Sequence, residues 1–138
     1  MVVGERTIIR RGAQVDTSGE LLIGDECLVS YGTYLHCATS TTVGDMTTLS
    51  EYVTLTDSSH VRTPLDVPVF HHVTASPTAV GRNCWLGAHV VVAAGVHIGD
   101  GAVIGANSTV TKDVPGGWLA AGSPARAIRR LEVEEVEP

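Results

Sequence analysis

The chain has 138 residues, 43% hydrophobic and 17% charged, with a formal net charge of -6. That composition describes one modest domain able to bury a core and excludes a disordered chain; an acidic chain also lacks the broad basic surface that a nucleic-acid binder needs. Aromatic residues make up only 4% while Gly, Val, Thr and Ala abound, which favours extended structure with many turns over a helix bundle.

From the N-terminus the chain reads in sixes. The first triplet of hexads opens on Val3, Ile9 and Val15, the second on Ile23, Val29 and Leu35, and the third on Val43, Leu49 and Leu55. After a gap come Val80, Leu86 and Val92, then Ile98, Ile104 and Val110, five triplets in all. The fifth place of each hexad is an independent check. It reads Thr7, Ala13 and Gly19; Cys27, Thr33 and Thr39; Thr47, Val53 and Ser59; Cys84, Val90 and Val96; Ala102, Ser108 and Val114. All are small or β-branched, and Cys37 falls outside the register. The pattern predicts an all-β solenoid in which each hexad is a short strand plus a turn and three hexads close one triangular coil. The opener points inward, the fifth residue packs beside it, and parallel ladders hold successive coils about 4.8 Å apart. Cys27 and Cys84 are then wall residues.

The departures fall at one corner of the prism. Leu21–Leu22 follow the first triplet, Thr41–Thr42 the second, and the long segment Val61–Ala79 the third. Nothing is added after the fourth, where His97 runs into Ile98. Irregular chain on one edge of a regular scaffold is where function is expected. His60 takes the sixth place of the last hexad before the insertion, next to Ser59, which the register turns inward; His60 should therefore point outward. Past Pro115, "RAIRRL" reads as a short helix or a final strand. The domain is expected to span 1–130, with 131–138 a solvated acidic tail.

The three cysteines are odd in number and contain no C-x-x-C pair. They do not make a disulfide framework and fit a reducing cytoplasm. The N-terminal segment carries no long apolar run of the kind a signal peptide needs, and no stretch approaches the roughly 20 apolar residues of a membrane span. The basic residues cluster late: Lys112, the only lysine, is followed by Arg126, Arg129 and Arg130. A small basic pole on an acidic chain suggests a site for a few phosphates and not for a polymer.

Residues 80–130, "VGRNCWLGAHVVVAAGVHIGDGAVIGANSTVTKDVPGGWLAAGSPARAIRR", resemble the C-terminal half of hexapeptide-repeat acyltransferases. They are most similar to the maltose and galactoside O-acetyltransferase group and to sugar O-acetyltransferases of polysaccharide pathways. The resemblance extends back to about Thr42 through "TVGDMTTLSEYVTLTDSSH". The histidine after the hexad, "CWLGAHV", "VTKDVP" and "GSPARAI" carry it in this order. It implies a left-handed parallel β-helix, although parallel crossovers are generally right-handed. It also implies a homotrimer with active sites between subunits, acetyl-CoA as donor, no metal, and a small-molecule acceptor of carbohydrate type.

Acyl transfer from a thioester to a hydroxyl needs a base, for which imidazole is suited. By resemblance His60 is that base. Asp57, on the same turn, is the nearest acid that could orient it, although it could equally form the turn, with a backbone carbonyl as orienter. Thr111, Lys112, Arg126 and Arg129 match coenzyme-contacting positions, and Arg and Lys suit its phosphates. Ala88 and Ala106 match positions along the pantetheine arm. Trp85 is expected at the cleft or the trimer interface; His71 and His72 near the acceptor or a neighbouring subunit; His97 near the edge that carries His60, at the acceptor or cleft; and His36 and His89 at the surface or an interface.

The chain departs from the maltose and galactoside enzymes at two points. It enters hexads without a preceding helical segment, and "SYGTYLHCATST" has no counterparts of their acceptor-contacting Asn and Asp. Serine acetyltransferases share the C-terminal half but need a large helical region before it. The remaining alternatives are an N-acetyltransferase on an amino sugar, a non-catalytic scaffold, and a γ-class carbonic anhydrase. The last requires three imidazoles at zinc spacing, and the sequence has no H-x-x-x-x-H.

Overall fold

The aliphatic openers stack directly over one another. A computed structural model describes residues 1–132. Val3, Ile23, Val43, Val80 and Ile98 are successive register partners on one face of the prism. Ile9, Val29, Leu49, Leu86, Ile104 and Ala120 are partners on the second. Val15, Leu35, Leu55, Val92 and Val110 are partners on the third. β-Branched and leucyl side chains suit this arrangement because each fills the interior at its own level and touches the one below.

The first coil holds β1 (Val2–Val3), β2 (Ile8–Ile9) and β3 (Gln14–Thr17). The second holds β4 (Glu20–Ile23), β5 (Leu28–Val29) and β6 (Tyr34–Cys37). The third holds β7 (Ser40–Val43), β8 (Thr48–Leu49) and β9 (Thr54–Thr56). An arm then leaves the prism as β10 (Ser58–His60), a 3-10 turn at Val69–His71 and β11 (Val73–Ala75). The fourth coil is β12 (Thr78–Val80), β13 (Trp85–Leu86) and β14 (Val91–Val92). The fifth is β15 (His97–Ile98), β16 (Val103–Ile104) and β17 (Thr109–Val110). β18 (Trp118–Gly122) adds a further rung to the second face, and β19 (Ala125–Arg130) folds back antiparallel upon it. "RAIRRL" thus ends as a strand. Three sheets of parallel rungs result, the second ending in antiparallel β19, with a two-stranded antiparallel sheet in the arm, and the helix is left-handed, as the family resemblance implies. The expected acidic tail lies outside the described residues from position 133 onward.

Corners close on left-handed backbone. At the second corner the positive-φ place passes from Gly12 and Gly32 to Tyr52, His89 and Asn107. Gly32 has a further reason to be glycine, since a Cβ there would lie 2.3 Å from the Tyr52 ring. At the first corner an aspartate in each of several coils caps the turn below: Asp45 accepts from the Asp25 amide at 2.8 Å, and Asp100 from the Arg82 amide at 2.9 Å.

The third corner corrects the register in the first three coils. The strands there run on past the opener, so Cys37 faces inward and is fully buried, while Thr39 and Ser59, assigned to the small-residue column, are exposed. A second inward column, Leu21, Thr41 and Thr78, replaces them. The two extra residues per coil lengthen this side, and alternation along the longer strand, not the hexad count, decides what points in. The insertion also begins earlier than Val61. Ser58, Ser59 and His60 already pair antiparallel with Ala75, Thr74 and Val73.

Asp57 sits at this corner with no exposed surface. One oxygen accepts from the Ala38 amide at 2.7 Å, and the other from Thr39 and Ser40 at 2.7 and 2.8 Å. Burial alone would raise its pKa. The opposing hydrogen bonds from Ala38, Thr39 and Ser40 outweigh it and hold the carboxyl below its ordinary value. A carboxyl depressed on folding contributes stability above the unfolded pKa, and that contribution is lost as pH falls through the folded pKa. Asp57→Ala should therefore lower unfolding free energy at pH 7 by roughly 3 kcal/mol, because three backbone amides lose a fully buried charged acceptor. Denaturant titrations should show the gap between variant and wild type closing on acidification; a gap independent of pH would contradict this role.

Candidate active site

His60 lies at the end of β10, exposed, where the arm leaves the third coil. Antiparallel pairing to Val73 fixes its backbone. Both oxygens of Asp57 are engaged by the backbone of the coil below. Among the described residues Asp57 makes no hydrogen bond to His60, so its place here is the turn-forming one. The base of the arm is tied down by a residue that the sequence reading left at the surface. His36 is half-buried, directly beneath Thr56 in the register, with Nδ1 3.0 Å from Ser58 Oγ and 3.2 Å from Thr56 Oγ1. Its ring lies nearly parallel to that of Tyr34, 12° between planes.

The same corner carries Thr111 and Lys112 two coils further on, directly after β17 and exposed. His97 starts the strand that follows this corner, and its amide donates to Asp113 at 2.8 Å. His72 lies across the arm beside His60, its carbonyl accepting from the Val61 amide at 3.0 Å, and His71 precedes it at the end of the 3-10 turn. His71 meets the Phe70 ring edge-on at 4.4 Å. The arm also exposes Leu65, Val69, Phe70 and Val73, apolar side chains that its own chain leaves uncovered.

The second corner holds the other candidates. A cleft of about 510 Å³ is lined by Ser50, Glu51, Trp85, Gly87, Ala88, Val103, Ile104, Gly105, Ala106 and Leu119. Glu51, Ala88 and Ala106 follow one another up this edge, the Glu51 carbonyl accepting from the His89 amide and the Ala88 carbonyl from Asn107, both at 2.9 Å. Small side chains at 88 and 106 leave low walls. Gly87 is required by stacking itself, because a Cβ would lie 2.7 Å from the Ala106 amide nitrogen. Trp85 is exposed on the second face and donates from Nε1 to Ser50 Oγ at 3.1 Å, which fixes its indole as one wall. Arg126 and Arg129 lie on β19, opposite Ala121 and Leu119 in register, so they sit at the C-terminal end of the face that bears the cleft. Neither makes an ion pair among the described residues.

The candidates therefore divide between two edges of one prism. His60, His97, Thr111 and Lys112 are on the third corner; Trp85, Ala88, Ala106, Arg126 and Arg129 belong to the second face and corner. Sequence reasoning missed Ser50 and Glu51, although the repeat places them beneath Gly87 and Ala88. It also missed the bonding of His36 to the arm. The cysteines are buried and unpaired, and burial pushes the Cys84 thiol up, keeping it in the neutral form that suits a wall residue. Among the described residues no group of three or more His, Cys, Asp or Glu converges as a metal site, and no helix is long and apolar enough to cross a membrane.

The bacterial transferase hexapeptide (six repeats) family matches residues 77–112. Galactoside O-acetyltransferase of Escherichia coli K12 is 33% identical over 135 residues, covering 94% of this chain and 63% of its own length. The chain thus spans a little under two thirds of that relative. The putative colanic acid biosynthesis acetyltransferase WcaF of the same organism is 34% identical over 134 residues, covering 96% of this chain and 71% of its own. The crystal structure of a hexapeptide-repeat acetyltransferase from Vibrio cholerae, complexed with acetyl coenzyme A, superposes with a TM-score of 0.86 at 26% identity, over 95% of this chain and 71% of that one. With the fold, the repeat and a relative matched along most of its length in agreement, the chain belongs to the hexapeptide-repeat acetyltransferases.

Proposed function

We propose that the protein transfers an acetyl group from acetyl-CoA to a hydroxyl of a sugar or related small molecule, with His60 as general base. The observation that carries this is a match of height. The cleft runs down the second corner from Leu119 through Ala106 and Ala88 and ends at Ser50 and Glu51 in the third coil, and His60 leaves that same third coil. A donor whose phosphates rest on Arg126 and Arg129 would lay its slender arm along the alanines and bring its acyl end to the level of the base.

Within one chain the two edges face apart. We infer a homotrimer in which the third corner of one copy lies against the second corner of the next, so that His60 and Lys112 of one copy complete the cleft of another. The uncovered apolar side chains of the arm, Leu65 and Phe70 among them, support this reading because a neighbouring subunit would bury them. The acceptor hydroxyl gives its proton to the His60 ring as its oxygen attacks the thioester carbon. The carbon–sulfur bond breaks, and the imidazolium returns the proton to the departing thiolate.

Thiol release from acetyl-CoA, measured over sugars, amino sugars and nucleotide sugars, tests this and separates O- from N-transfer by the product formed. His60→Ala should lower turnover by about 10²- to 10⁴-fold while acetyl-CoA binding, followed by calorimetry, persists; full turnover in the variant would remove His60 from the role. A scaffold without catalysis would bind no acetyl-CoA at all. Arg126→Ala should raise the acetyl-CoA KM roughly tenfold, as expected for one lost charge-assisted contact, with kcat little changed. Unaltered coenzyme affinity would contradict the phosphate assignment.

A further inference from the structure

Glu51 lines two cavities. It closes the lower end of the cleft described above, and it forms the upper rim of a second cavity of about 600 Å³, lined by Arg11, Gly12, Tyr31, Gly32, Glu51 and Tyr52. Three side chains of this second cavity, Glu51, Tyr52 and Tyr31, are held in place. Glu51 Oε1 accepts from Ser30 Oγ at 3.1 Å, and Ser30 is itself 3% exposed. Tyr52 occupies left-handed backbone at φ 57, a costly conformation for an aromatic residue. Its ring lies against Gly32 on one side and stacks on His89 at 5.2 Å, 9° between planes. The Tyr31 hydroxyl accepts from Arg10 Nη1 at 3.1 Å, with the guanidinium carbon 5.2 Å from the ring centroid.

We propose that Glu51 determines acceptor specificity: its carboxylate receives a hydrogen bond from a hydroxyl next to the one acylated, and the cavity below it holds the rest of a neutral pyranose. This rests on the reading of the protein as an acetyl-CoA-dependent acyltransferase. Under that reading the acyl end of the donor stops at Glu51, so the acceptor must occupy what lies next to that residue. The second cavity adjoins it on the side away from the donor. Its polar groups are a carboxylate, two phenols and a guanidinium. Sugar hydroxyls both donate and accept, and such an array satisfies neighbouring hydroxyls on a rigid ring. A carboxylate at the reacting end also repels an anionic group there.

The test uses the full chain, acetyl-CoA, and three probes: methyl hexosides, glucosamine and glucose 6-phosphate. Glu51→Gln preserves shape and keeps an oxygen for Ser30. It should raise the KM for the methyl hexoside about tenfold, the loss expected for one charge-assisted hydrogen bond, with the acetyl-CoA KM within about twofold of wild type. An unchanged hexoside KM, or an acetyl-CoA KM that rises in parallel, overturns the assignment of Glu51. Wild-type preference for glucose 6-phosphate over the methyl hexosides overturns the neutral class. Thiol release that falls with His60→Ala but not with Glu51→Gln sinks this inference alone, whereas wild-type protein that releases no thiol with any probe sinks the acyltransferase reading and this one together.

Discussion

The parallel backbone ladder imposes one condition on everything else in this protein: each level of the prism must present an inward aliphatic side chain directly over the one below. Where the condition is met, as at Val29, Leu49 and Leu86, the side chains are essentially without exposed surface. In the first coil Ile9 and Val15 are about half exposed, at 45% and 40%. A ladder of this kind turns sequence position into height. Residues three hexads apart share a column, so a cleft running along a corner can be lined by the same place in successive coils, as Glu51, Ala88 and Ala106 are. Small side chains there serve packing and access together, because anything larger would fill the groove.

The same condition explains the cost of leaving it. When the chain departs at the third corner, the turn of the coil below loses the partners that the next coil would supply. Asp57 meets that need by offering both carboxylate oxygens to the amides of Ala38, Thr39 and Ser40. Its burial is tolerable only because those donors converge on it. The arm can then rise from Ser58 as an antiparallel pair, braced from below by His36, and carry His60 clear of the prism. Asp57 thus serves the fold, three residues before the base proposed at His60.

Much of this was legible in the residues. The aliphatic openers mark their own three columns because their spacing is set by the ladder itself, but not the added inward column of Leu21, Thr41 and Thr78; the irregular corner is visible as an excess of chain. The errors cluster where the period changes. A count of six carried through a side that is two residues longer leaves Cys37 out and puts Thr39 and Ser59 in. Nearness in sequence leaves Asp57 open both as a partner for His60 and as a turn residue; its hydrogen bonds run to the preceding coil, about twenty residues away in the chain, as the contact to Ala38 shows. The division of the candidate residues between two corners is likewise a three-dimensional fact. Lys112 and Arg126 look like one basic pole in the sequence, yet one follows the third face and the other lies on the second.

The central claim is that one site needs the third corner of one copy and the second corner of another. Subunit complementation tests it directly. His60→Ala removes the base, and Ala88→Trp fills the cleft with a bulky side chain at an exposed corner; each alone should be nearly inactive. Co-expressed under two tags and purified as mixed assemblies, they should regain about one third of the wild-type turnover per trimer, since one of three head-to-tail interfaces would pair an intact His60 with an open cleft. Mixed assemblies no more active than either parent would show that base and cleft act within a single chain, and would contradict the account.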